Sequence, residues 1–209
     1  MSIKKKGLLN GNIMFNLGNR IMNSWIYPIQ EGYVLIDTGY ENEYTNFKKR
    51  LAALNLDVSE IKYIFLTHAH DDHAGFLNDI LEESQSTKIV MSYKSLDTLY
   101  KGQNSFVGGC TTRLALFDTP SHTADSISLI LNDGAFFCGD AAMNGFPSLN
   151  RITIWAEDKN DFSKSWQTII CMKPKKIYPA HGKPFDYEEL INNNERLKNI
   201  VLYPLHIVN

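Results

Sequence analysis

Residues 67 to 75 read Thr67-His68-Ala69-His70-Asp71-Asp72-His73-Ala74-Gly75, directly after the largely apolar run 61–66. Three of the six histidines of the chain and two aspartates fall within six positions of this stretch. Imidazole is the commonest metal-binding side chain, and carboxylates complete harder or borderline sites. Burying so many polar groups without a metal would cost several kcal/mol. The stretch therefore predicts a metal centre where a strand ends.

The spacing within the cluster indicates how the ligands are presented. His68 and His70 are two positions apart, which at a strand end directs both side chains to one side of the sheet. On a helix the same spacing would separate them by roughly 200°, so the pattern differs from HExxH, in which two ligands share a helical face. The chain must turn after His70 to bring Asp72 and His73 to the same region. We expect a helix from about Gly75 to anchor that turn.

Three more candidate ligands follow apolar strands elsewhere in the chain. His122, Asp140 and His181 each stand just past a short apolar run that we predict as a strand. Strand ends can gather at one edge of a sheet, which is a common position for a site. Together with the cluster, these residues account for five of the six histidines, and only His206 is left. The added ligands extend the predicted centre from one metal to two.

Length and composition limit the remaining possibilities. A chain of 209 residues with 44% hydrophobic content suits a single domain, 1–209, with a sizeable core. The net charge of −2 argues against a nucleic-acid partner. No stretch approaches the ~20 apolar residues of a membrane span, so no membrane partner is expected. Three widely spaced cysteines without a CxxC pair indicate a reducing cytoplasm. We expect a small-molecule substrate and leave the oligomeric state open, with a homodimer as one option.

The HxHxDH cluster, a distant histidine, a Gly-Asp pair and a late His-Gly pair together resemble the metallo-β-lactamase superfamily. The resemblance covers about residues 24 to 182 and rests on the motifs Ile36-Asp37-Thr38-Gly39, Thr67 to Gly75, Thr119-Pro120-Ser121-His122-Thr123, Cys138-Gly139-Asp140 and Pro179-Ala180-His181-Gly182. It implies a four-layer αββα sandwich with the site at one sheet edge. The recurrence of short strands and helices along the chain also predicts a fold of the α/β or α+β class.

The resemblance further implies which residues bind metal. Matched by motif, one metal takes His68, His70 and His122, and the other takes Asp72, His73 and His181. Asp140 would bridge the two metals. Asp37 matches a family position that supports the ligands by hydrogen bonding. The implied cofactor is Zn²⁺, two ions per chain, with Fe or Mn as alternatives.

The same residues suggest a hydrolytic reaction. No GxSxG elbow is present and no cysteine stands beside a candidate base, so the chain offers no evident protein nucleophile. Two metal ions ~3.5–4 Å apart can hold a hydroxide and polarise a carbonyl oxygen. We therefore expect a zinc-dependent hydrolase whose metal-bridging hydroxide cleaves a small ester, lactone or thioester. Asp72 is expected to orient the hydroxide and to relay a proton to the leaving group.

Two other activities stay open. A mononuclear-iron oxidoreductase of the sulfur dioxygenase type is an alternative within the same family. β-Lactamase activity is a minor interpretation, because the true β-lactamases that HxHxDH resembles lack the bridging aspartate and are secreted. This chain has Asp140, and no continuous apolar signal region follows its N-terminal lysines.

Overall fold

A computed structural model describes residues 8–9, 12–95, 115–145, 148–153 and 155–199. His206 lies outside the described residues. The chain divides into two compact units, the first made of Met1–Met91 and Ser95–Thr112, the second of Ser92–Lys94 and Arg113–Asn209. Each unit contains a five-stranded mixed sheet. The expectation that 1–209 forms a single domain stays a prediction.

Among the described residues, the first unit contains seven strands and three helices. Its strands are β1 (Leu8–Leu9), β2 (Asn12–Ile13), β3 (Phe15–Asn16), β4 (Trp25–Ile29), β5 (Gly32–Ile36), β6 (Ile61–Phe65) and β7 (Lys88–Val90). Its helices are α1 (Tyr44–Ala52), α2 (Asp71–Ala74) and α3 (Leu77–Glu83), with 3-10 turns at Glu41–Glu43 and Val58–Glu60. The sheet order is β3-β4-β5-β6-β7, with β5, β6 and β7 parallel and the other pairs antiparallel.

Amphipathic helices supply the core of this unit. In α1, Phe47 and Leu51 are buried four positions apart, and α3 buries Leu77, Ile80 and Leu81 on one face. These side chains belong to one cluster with alternate residues of the central strands, including Leu35 and Ile64. Residues spaced by two in a strand share a face, so the sheet presents one apolar face to these helices.

The stretch that carries the histidine cluster leaves the carboxyl end of β6. Its second half is helical, because α2 begins at Asp71, directly after His70. The longer helix expected from about Gly75 begins at Leu77. Gly75 itself has no room for a side chain, since a Cβ there would lie 2.5 Å from the main-chain oxygen of Asp71 and 2.5 Å from the main-chain nitrogen of Glu41. Close backbone packing therefore fixes the conformation of the turn that carries the histidine cluster.

The second unit contains, in the part of the chain that the structure describes, the other strands and two longer helices. Its strands are β8 (Ala115–Asp118), β9 (Ile127–Ile130), β10 (Ala135–Gly139), β11 (Ser148–Leu149), β12 (Ile152–Thr153), β13 (Lys176–Pro179) and β14 (Phe185–Asp186). Its helices are α4 (Lys159–Met172) and α5 (Tyr187–Leu197), and a 3-10 turn spans Tyr93–Ser95 where the units meet in sequence. None of the described helices is long and apolar enough to cross a membrane.

The sheet of the second unit brings three strand ends to one edge. Its order is β14-β13-β10-β9-β8, with β10 and β13 parallel and β9 antiparallel to both β8 and β10. Strands β8, β10 and β13 therefore run in the same direction, and their carboxyl ends lie at the same edge. Asp140 follows β10, His181 follows β13 by two positions, and His122 follows β8 by four. The strand positions predicted for these three residues agree with the structure.

Candidate metal centre

Asp37 anchors the predicted ligands of the first unit. Its buried carboxylate accepts hydrogen bonds from the Thr67 main-chain nitrogen at 2.8 Å and faces His73 Nδ1 at 3.0 Å. Its main-chain oxygen accepts a bond from Ser24 Oγ at 2.7 Å. Asp37 has φ of 54°, in the left-handed region that aspartate tolerates better than most residues. These bonds hold the carboxylate at the end of β5, beside the histidine cluster.

The four predicted ligands of the first unit lie close together. His68 Nε2 is 3.0 Å from His70 Nδ1, and the ring centroids of His68 and His73 are 3.9 Å apart. Asp72 Oδ1 lies 3.8 Å from His73 Nε2. His68 and His73 are completely buried, whereas the side chain of Asp72 keeps 18% of its exposure. Asp72 is therefore more accessible than His68 or His73.

The contact with Asp37 fixes the tautomer of His73. A carboxylate can only accept, so the His73 Nδ1–H donates to Asp37 Oδ2. In a neutral imidazole this leaves the lone pair on Nε2. The main chain supports the same position, because the His73 carbonyl oxygen accepts bonds from Thr38 N at 2.7 Å and Thr38 Oγ1 at 2.8 Å. Carboxylate–histidine pairs of this kind orient metal ligands in proteins.

The predicted ligands of the second unit form a buried triad around Asp140. The Oδ2 atom of Asp140 is 3.6 Å from His122 Nε2, and its Oδ1 atom is 3.5 Å from His181 Nε2. His122 Nδ1 lies 3.0 Å from the Trp155 carbonyl oxygen, which can only accept, so the proton is on Nδ1. The lone pair on His122 Nε2 then faces a carboxylate oxygen. Two such electron-rich groups in a buried place are stabilised by a cation that both can bind.

The chemistry of this donor set fits a divalent metal. Neutral imidazoles with a lone pair on Nε2 and nearby carboxylates are the ligands of zinc and non-haem iron sites. Among the described residues, histidine and aspartate side chains form groups of three that could hold a metal ion. Of the seven predicted ligands, four belong to the first unit and three to the second. Their assignment to two particular metals stays a prediction.

Several supporting residues were not predicted from the sequence. The Trp155 carbonyl orients His122 from 33 positions away, and Glu157 donates its main-chain N–H to the His122 carbonyl oxygen at 3.2 Å. Glu157 Oε2 also accepts a bond from the main-chain N–H of Ala124 at 2.6 Å. A main-chain carbonyl acts the same way whatever side chain it carries, so no sequence signal marked Trp155 for this contact. Its indole keeps 38% of its exposure.

Curated relatives match most of the chain. The sequence model described as Metallo-beta-lactamase superfamily matches residues 17–181. A Caenorhabditis elegans protein named beta-lactamase-like protein 2 homolog is 36% identical over 178 residues, covering 78% of this chain and 57% of its own length. The lactamase-like protein nscB of Trichophyton verrucosum is 28% identical over 204 residues, covering 88% of this chain and 68% of its own. The chain thus spans roughly three fifths of the length of these relatives.

Solved structures share the fold at low sequence identity. The metallo-beta-lactamase FIM-1 from Pseudomonas aeruginosa, in its mono-zinc form, has a TM-score of 0.72 with 19% identity, covering 95% of this chain and 96% of the other. A structure titled as a peroxy diiron species of the chemotaxis sensor ODP has a TM-score of 0.73 with 15% identity, covering 97% and 96%. The fold class predicted from the sequence is therefore confirmed. With the family match over residues 17–181, this chain belongs to the metallo-beta-lactamase superfamily.

Proposed function

We propose that this protein is a dinuclear-metal hydrolase that cleaves a small ester, lactone or thioester. In this proposal His68, His70 and His122 hold one metal, while Asp72, His73 and His181 hold the other. Asp140 is shared by both. When bound, two zinc ions would supply a hydroxide nucleophile at neutral pH and polarise the substrate carbonyl, because zinc lowers the pKa of a bound water to about 7.

The observation that carries the proposal is the position of Asp140. Each of its two carboxylate oxygens faces the Nε2 atom of a different buried histidine, at 3.5 Å for His181 and 3.6 Å for His122. A carboxylate that served one metal would need to present only one oxygen to that metal. The two-sided arrangement supports a bridging role, and a bridge requires two metals.

Asp72 is the group we propose for proton transfer. Its side chain retains 18% of its exposure while its neighbour His73 is completely buried, so Asp72 can reach a substrate. A carboxylate there can orient the attacking water by accepting a hydrogen bond. It can then pass the proton taken from that water to the leaving oxygen or sulfur. General acid–base groups of this kind contribute typically 10²–10⁴-fold to rate.

The proposal extends to the setting in which the protein works. The three widely spaced cysteines form no CxxC pair, which supports a reducing cytoplasm. The net charge of −2 supports a small molecule, rather than a nucleic acid, as the partner. The names of the curated relatives describe them as lactamase-like and supply no substrate for this chain. Substrate class is therefore proposed from the chemistry of the site alone.

The proposal is tested by metal analysis combined with a substrate panel. The full chain is purified and analysed for metal per chain, both as isolated and after loading with zinc. It is then assayed on a short-chain ester, a γ-lactone, an acyl thioester and a β-lactam. We expect two zinc ions per chain and turnover of at least one of the first three compounds. One iron per chain with oxygen consumption on a persulfide would replace the proposal with a dioxygenase, and turnover of the β-lactam alone would replace it with a β-lactamase.

A further inference from the structure

The hydroxyl group of Thr67 lies at the centre of the histidine cluster. Its Oγ1 atom is 3.1 Å and 2.9 Å from the two carboxylate oxygens of Asp37. The same atom is 3.2 Å from His68 Nδ1 and 3.2 Å from His73 Nδ1. Thr67 is buried, with only 1% of its surface exposed. One oxygen atom therefore contacts a carboxylate and two imidazoles.

The placement of a single proton decides how these contacts work. A hydroxyl has one hydrogen to donate and two lone pairs with which to accept. The ionised Asp37 carboxylate can only accept, so the Thr67 O–H donates to Asp37. The oxygen then has only its lone pairs left for the imidazoles. His68 Nδ1 must carry a hydrogen to bond to it, whereas the single Nδ1–H of His73 is directed to Asp37 Oδ2.

The direction of that hydroxyl is held by a second bond. The main-chain N–H of Thr67 donates to Asp37 Oδ1 at 2.8 Å. Residue 67 therefore bonds to the carboxylate through both its main chain and its side chain. Asp37 is itself held at φ of 54°. Donors and acceptors in such a buried network reinforce one another. The hydroxyl therefore cannot turn toward the histidines without breaking its bond to the carboxylate.

We propose that Thr67 is a positioning residue that fixes the tautomer of His68 and holds the Asp37 carboxylate, which in turn fixes the tautomer of His73. With hydrogen on both Nδ1 atoms, the Nε2 atoms of both rings carry the lone pairs that would bind metal. This inference rests on the proposed function, in which His68 and His73 serve different metals. One hydroxyl then prepares one ligand of each metal. Outer-shell partners of this kind typically contribute 10–100-fold to metal affinity or activity.

The test compares three variants of the full chain. Thr67→Val removes the hydroxyl and keeps the shape, while Thr67→Ser keeps the hydroxyl. Thr87→Val is the matched control, because Thr87 is also buried in the first unit and its hydroxyl bonds to the Ile61 carbonyl at 2.7 Å, away from the histidines. Zinc affinity is measured by competition with a chromophoric chelator. We expect a loss of about 10–100-fold for Thr67→Val, near-complete rescue by Thr67→Ser, and no loss for Thr87→Val.

A second readout separates positioning from simple loss of stability. Nitrogen-15 NMR of the metal-free full chain reports which ring nitrogen of His68 carries the hydrogen. We expect Nδ1–H in the unchanged chain and a mixture of tautomers in Thr67→Val, with thermal unfolding showing that both are folded. Unchanged tautomers, or equal zinc affinity in Thr67→Val and the unchanged chain, would overturn the role of Thr67. Neither readout needs substrate, so an absence of hydrolysis would count against the proposed function and leave this inference standing.

Discussion

At the scale of single residues, a few hydrogen-bond acceptors determine which ring nitrogen of each histidine carries the hydrogen. Asp37 fixes His73, and the Trp155 carbonyl fixes His122, each through Nδ1. In both histidines the Nε2 lone pair is left for another partner. Asp72 differs from these residues in the role that we propose for it, which is to act on a substrate rather than to orient a ligand.

Replacing Asp72 by Asn tests its proposed part in proton transfer. Asn keeps the size of the side chain but neither accepts the proton nor carries the charge. We expect kcat to fall by about 10²–10⁴-fold on whichever substrate is turned over. Asp71→Asn is the control, since Asp71 is an exposed aspartate in the same short helix. Similar activity in the two variants would show that Asp72 has no special role.

At the scale of elements, the turn into α2 decides whether Asp72 and His73 reach the other ligands. The turn is held between the end of β6 and the loop after β5, where Thr38 N and Oγ1 both bond to the His73 carbonyl. Gly75 allows the loop to approach, because its missing Cβ leaves space for the main-chain oxygen of Gly39, 2.6 Å from where that Cβ would be. Backbone packing thus sets the orientation of Asp72 and His73, the predicted ligands in α2.

Gly75→Ala tests this close approach. The new Cβ would meet three backbone atoms at 2.5 to 2.6 Å, and backbone cannot move aside as a flexible side chain can. We expect the free energy of unfolding to fall by about 2 kcal/mol or more, together with a weaker affinity for zinc.

Gly145→Ala serves as the steric control for that experiment. A Cβ at Gly145 would have its nearest neighbour, Gly182 Cα, at an ordinary 3.5 Å. Chemical denaturation should therefore show a change within about 0.5 kcal/mol for this variant. If Gly75→Ala changed the free energy of unfolding by as little as Gly145→Ala, the turn at Gly75 would be more adaptable than its packing indicates.

At the scale of the whole molecule, buried ligands link metal binding to folding. Asp140, His68, His73, His122 and His181 are all buried. A metal that binds the folded chain but not the unfolded chain stabilises it by about 4 kcal/mol when its free concentration is 1,000 times Kd. The ligand set should therefore make thermal stability depend strongly on metal.

Removal of metal should lower the melting temperature of the full chain. For a protein of this size, about 4 kcal/mol corresponds to a shift of roughly 8–16 °C. Differential scanning calorimetry of the zinc-loaded chain, with and without a strong chelator, measures this shift. Readdition of zinc should restore the original melting temperature. If neither the chelator nor added zinc changed the melting temperature, that result would contradict metal binding by the folded chain.

Local patterns in the sequence predicted much of the fold and the identity of the candidate ligands. Strand ends before His68, Asp140 and His181 were marked by apolar runs, which reflect burial along consecutive residues. The helical start at Asp71 was not predicted, because four residues are too few for a periodic pattern. Thr67 was visible within the cluster, but nothing local showed that its hydroxyl contacts both histidines.

The sequence by itself determined the donor types, their order along the chain and the family to which the chain belongs. Only the tertiary structure decided how the donors are oriented. Asp37 contacts His73 across 36 positions, and Trp155 contacts His122 across 33. Such contacts depend on which strands are neighbours and where each one ends. That arrangement is fixed by packing of the whole sheet, which no single stretch of sequence specifies.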